Sequence, residues 1–163
     1  MRKINSSAVA ILLAFTSTLA LQTTAQATEP SLPVLVNVIP TALANRGYDC
    51  GGPSTDTTSK GTERWYSCAS STATAYVHGN STNGALSYVK FVALTSSAYS
   101  DFEWMADLPV AGKSTSSASK WVITTYKKVK KGQKISKVFE GVSYLLSGGV
   151  GQIRTLEIGK KPS

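Results

Sequence analysis

Eight lysines fall between Lys113 and Lys137 (Lys113, Lys120, Lys127, Lys128, Lys130, Lys131, Lys134 and Lys137) with no Asp or Glu among them. A one-signed run of this kind can meet phosphate, sulfate or carboxylate groups on lipids, glycans or nucleic acid. Lys120, Lys127, Lys128, Lys130, Lys131 and Lys134 are therefore the candidate anion-binding residues. The same pattern also describes a solvated helix face followed by a turn. The run contains no Arg, and only Trp121 and Tyr126 lie within it as stacking groups. Base readout and strand stacking rest on Arg forks and aromatic platforms. No specific nucleic-acid partner is expected; any such binding would be salt-sensitive and non-specific.

His78 is the only histidine and Cys50 and Cys68 are the only cysteines. Zinc needs four ligands, or three and a water, which this set does not supply, so no metal and no cofactor is expected. A Cys50 nucleophile with His78 as base is conceivable, but an available second thiol favours a Cys50–Cys68 disulfide. In the chain-entropy model, closing that loop contributes about 3 kcal/mol. His78 precedes Gly79-Asn80, which reads as exposure at a turn, or alternatively as a general base. Asp49, Asp56 and Glu63 are the carboxylates that could join it, although spacing within a loop does not define a catalytic pair. Calcium loops, P-loops, nucleophile elbows and HExxH motifs are absent. Asn80-Ser81-Thr82 is a glycosylation sequon, and Trp65, Trp104 and Trp121 read as core or core-edge residues.

The compartment is read from the start of the chain. Arg2 and Lys3 precede the apolar run Ala8–Leu21, and Ala25-Gln26-Ala27 supplies a small-x-small cleavage pattern. A retained spanning helix needs about 20 apolar residues, more than this run offers. Residues 1–27 are thus expected to be a cleaved secretory signal, leaving 28–163 as a single exported domain, periplasmic or extracellular, with no transmembrane anchor. Export would bring both thiols to oxidising conditions. The 163-residue chain has a net charge of +8, and the signal removes only two of its basic residues.

The elements that must position these groups are read from periodicity. Thr28–Pro33 is a flexible lead-in. Leu35, Val38, Ile39, Ala42 and Leu43 fall at helical spacing up to Gly47, with Pro40 predicting a kink or a shorter helix. The stretch Gly51–Ser67 begins as a polar, turn-forming loop. Arg64–Ala69, Ala73–His78 and Ala85–Thr95 read as strands, the last covered on two sides, with the turn Gly79–Gly84 between the second and third. Ser100 and Glu103 fit a capping box opening a helix Asp101–Leu108, stopped by Pro109. Ala111–Ser117 is a polar linker. Ser117–Lys131 carries an apolar helical stripe opposite its lysines, although Val122–Tyr126 also has strand propensity; helix is preferred. Ile135–Glu140, Val142–Leu146 and Gln152–Ile158 read as strands, with a turn at Ser147–Gly149 and a tail at 159–163.

The expected fold is α+β: a small single domain with an antiparallel sheet of about five strands, two to three helices on one face and one disulfide. The expected function is a non-enzymatic binding or interaction protein taking a protein or an anionic glycan or lipid surface. The alternatives are a small envelope hydrolase using His78 with a carboxylate, and an electrostatic adaptor to an anionic envelope surface.

Overall fold

A computed structural model describes residues 32–58, 61–108 and 116–160. The expected signal Met1–Ala27, Pro109 and Lys113 lie outside them. Three helices are present: α1 (Val38–Ala44), α2 (Tyr99–Asp107, preceded by a 3-10 turn over Ser96–Ala98) and α3 (Ser116–Tyr126). The strands are β1 (Asp49–Thr58), β2 (Gly61–Ala69), β3 (Ala73–Asn80), β4 (Leu86–Ala93), β5 (Lys134–Phe139), β6 (Val142–Gly148) and β7 (Arg154–Lys160). They form one antiparallel sheet in the order β1-β2-β3-β4-β7-β6-β5. Two meanders, one on each side of the α2–α3 pair in sequence, thus meet where β7 pairs with β4.

Strand alternation divides the sheet into two unlike faces. Ala73, Ala75 and Val77 of β3, Val89, Phe91 and Ala93 of β4, Tyr144 and Leu146 of β6, and Leu156 and Ile158 of β7 are fully buried. They join Ile39 and Leu43 of α1, Phe102, Met105 and Ala106 of α2, and Ala118 and Val122 of α3 in one core. Each large side chain buried there contributes about 1.5–3 kcal/mol. Aromatic contacts bind the layers together. Phe102 meets Phe91 at 5.2 Å and Tyr126 at 5.0 Å between ring centres, and Trp121 packs on Phe139 at 5.9 Å.

The sheet has seven strands rather than about five, chiefly because Asp49–Thr58 is a strand and not a loop. Its sequence, DCGGPSTDTT, carries no apolar alternation, and it is held instead by pairing with β2 and by the disulfide. Cys50 and Cys68 are direct cross-strand partners. Leu32 is 2 % exposed and its N–H donates to Leu86 O, so the expected flexible lead-in already belongs to the fold by that residue. At the other end, Gly159 and Lys160 complete β7 instead of forming a tail.

The helices correct three further readings. α1 accommodates Pro40 as its third residue, where the missing N–H is one the first turn leaves unpaired in any case. Ser100 is inside α2 and caps nothing; the residue at the cap position is Ala98, without a side-chain hydrogen bond. The preceding 3-10 turn starts the chain curling earlier than the capping pattern implies. α3 is the expected helix, but it ends at Tyr126 rather than running to Lys131. The N–H groups of Lys128 and Val129 fold back onto Thr125 O, and Val129 is buried.

Candidate binding surface

The face of the sheet opposite the core carries a row of side chains set by cross-strand register. Trp65 of β2 lies opposite His78 of β3, His78 opposite Tyr88 of β4, and Tyr88 opposite Gly159 of β7. The Trp65 and His78 rings stack at 6.4 Å with 21° between planes, and the His78 and Tyr88 rings tilt together at 5.8 Å. Parallel to this row runs Ser67, Tyr76, Lys90, Glu157, Leu145 and Ser136. The face mixes rings, opposite charges and small polar groups, unlike the apolar face turned to the core.

Polar contacts hold these side chains in place. His78 Nδ1 lies 3.5 Å from Glu63 Oε2, both side chains being about 30 % exposed. Burial first, and then the neighbouring Glu157 carboxylate, push the Tyr88 phenol well above its ordinary range. Lys90 and Glu157 are cross-strand partners of opposite sign, an arrangement that stabilises a pair of strands. The Trp65 indole N–H is shielded from solvent and without a hydrogen-bond partner.

His78 is therefore not a turn residue. The turn begins only after Asn80, whose side-chain oxygen accepts from the N–H groups of Thr82 and Asn83. Of the three carboxylates named for it, only Glu63 reaches it. Asp56 is the cross-strand partner of Glu63, whereas Asp49 pairs with Ala69 at the opposite end of β1. Among the described residues no serine or threonine hydroxyl is hydrogen-bonded to His78, and no group of three or more His, Cys, Asp or Glu could hold a metal. What the dyad can do is fix the orientation of an imidazole.

Trp65 also departs from expectation. Trp104 and Trp121 pack at the margin of the core, but Trp65 is not among the residues that do. Closing a hairpin tightly at Ser70–Thr72 sets Trp65 against His78 and Glu63 against Asn80.

The candidate lysines separate into two places. Lys120 lines a groove of about 350 Å³ between α2 and α3, beside Glu103, Trp104, Asp107, Ser119 and Ile123. Lys127, Lys128, Lys130, Lys131 and Lys134 gather at the corner joining α3 to β5. Lys127 Nζ lies 5.7 Å from the centre of the Tyr99 ring. Among the described residues none of these lysines takes part in an ion pair; the two such contacts are Arg46–Asp101 and His78–Glu63. The corner is pinned to the end of β6. Gly132 N–H donates to Gly148 O, Gly148 N–H to Gln133 O, and Lys130 N–H to Gln133 Oε1.

No family model, curated protein or solved structure matches this chain. No helix among the described residues is long and apolar enough to cross a membrane.

Proposed function

We propose that the chain is an exported binding protein, freed of Met1–Ala27, which recognises a partner's surface on the face of its sheet opposite the core and transforms nothing. The observation that carries this reading is the row Trp65–His78–Tyr88, with Tyr76 beside it: rings fixed by strand register on the face of the sheet opposite the core. Such pre-set, rigid aromatic groups bind at little cost in side-chain ordering. The Cys50–Cys68 disulfide is compatible with an oxidising compartment.

A small envelope hydrolase is the second reading, favoured by the His78–Glu63 contact. The test is capture of envelope-fraction partners by the wild-type protein, by a Trp65→Ala/Tyr76→Ser variant and by His78→Ala. The expected result is a partner retained by wild type and lost from the double variant, with the fold of each variant checked by circular dichroism. Substrate turnover that disappears in His78→Ala would replace binding with hydrolysis. Capture unchanged in the double variant would move the binding site elsewhere.

A further inference from the structure

The two edges of the sheet are not alike. β1 is interrupted by Pro53, and its register with β2 shifts between Gly51 and Ser54. Proline and irregularity of this kind stop further strand pairing. β5 has neither. Lys134 to Phe139 pair with β6 in unbroken register, without Pro, Gly or bulge, and β5 ends the strand order on that side. Among the described residues no further strand occupies its outer ladder of backbone groups.

Charge decides which strand. Six lysines (127, 128, 130, 131, 134 and 137) lie on or beside this edge with no acid between them. Lys134 shares the outward face with Ser136 and Val138, the last being 46 % exposed. Lys137 lies on the other face, its Nζ 5.1 Å from the Phe139 ring centre. Two copies meeting edge to edge here would bring like charges together, so self-pairing is disfavoured. An acidic extended segment meets the opposite situation, with backbone bonds from β5 and unpaired ammonium groups on both faces. The hydrogen bonds that tie Lys130–Gln133 to Gly148 keep part of this charge in place before anything binds.

We propose that β5 is a strand-addition site for an extended, glutamate- or aspartate-rich polypeptide segment of a partner, which becomes the eighth strand of the sheet. Backbone pairing supplies adhesion, and the lysine corner supplies selection and direction. This site is the edge of the sheet, three strands from Tyr88, and stands whether or not the aromatic row binds.

The test uses the purified, disulfide-bonded protein and a short fluorescent peptide alternating Glu with Val and Thr. The same peptide with Pro at two central positions and anionic phosphatidylglycerol vesicles are the comparison probes. The expected result is peptide binding with exchange at the outward amides of β5 slowed at least about tenfold, since pairing removes them from water. Affinity should fall about tenfold or more for the proline peptide and for Lys→Gln at 127, 128, 130, 131 and 134 together. Raising salt on the wild-type protein should weaken binding as well, which reads the charge without any variant. Equal binding of the proline peptide would overturn strand addition. So would lysine-dependent vesicle binding with β5 exchange unchanged, or no peptide binding at millimolar concentration.

Discussion

The Tyr48 hydroxyl donates to Asp101 Oδ2 at 2.7 Å, joining residues 53 positions apart in the chain. The other oxygen of the same carboxylate accepts from Arg46 at 2.9 Å. Asp101 thereby ties the segment between α1 and β1 to the first turn of α2, where a negative charge is also favourable to the helix. Replacing Asp101 by Ala should lower the unfolding free energy by about 1–3 kcal/mol, because it strands a part-buried phenol. Tyr48→Phe, which leaves the Arg46 contact, should cost about 1 kcal/mol. Urea unfolding of the two variants and their combination measures both; equal losses would show that the carboxylate does not act as the hub.

Alkaline titration should separate the tyrosines. Burial, above all, and neighbouring carboxylates raise the phenols of Tyr48 and Tyr88, and burial raises Tyr126. A raised folded-state value means that the folded protein holds the proton more tightly than the unfolded chain. This contribution to stability is complete below the ordinary tyrosine value near pH 10 and is lost as pH rises beyond it. Ultraviolet titration should show these three ionising above the ordinary tyrosine range. Ionisation of all three near pH 10, with the fold intact, would contradict it.

Reducing Cys50–Cys68 should lower stability by about 2–4 kcal/mol. The effect should concentrate in β1, whose sequence supplies almost no buried side chains of its own. Hydrogen exchange after reduction should show faster amides in Asp49–Thr58 while β4 and β7 stay protected. Uniform acceleration across the sheet would mean the bond supports the whole core instead.

Gly148 is where the lysine corner approaches the sheet most closely, and a Cβ there would fall on the carbonyl of Lys130. That neighbour is backbone and has little room to yield. Gly148→Ala should destabilise by about 1–3 kcal/mol, the range for overpacking a fitted site. Thermal unfolding gives the size of the loss. Exchange at the Gly132 amide, which donates to Gly148, shows whether the corner detaches.

Periodicity carried most of the interior. The alternation in Ala73–His78 and Ala85–Thr95, and the stripe Ala118, Val122 and Thr125, identify elements because burial selects their residues. β1 was illegible for the converse reason: an edge strand of Gly, Ser and Thr is fixed by its neighbour and a covalent clip, neither of which leaves a hydropathy pattern. The Ser100–Glu103 capping box failed because a local 3-10 turn competes with it upstream. The cysteine pair was readable by counting. The juxtaposition of Glu63, Trp65 and His78 was not, since it depends on a hairpin register that a misjudged turn shifts for every residue. The lysine run showed its charge but not its split between a helix groove and a sheet corner.

The pairing of β7 with β4 puts Arg154–Lys160 in the middle of the sheet. Until that strand is in place, β4 and β6 each expose an open edge. A lesion within Arg154–Lys160 will therefore act as damage to the centre of the molecule.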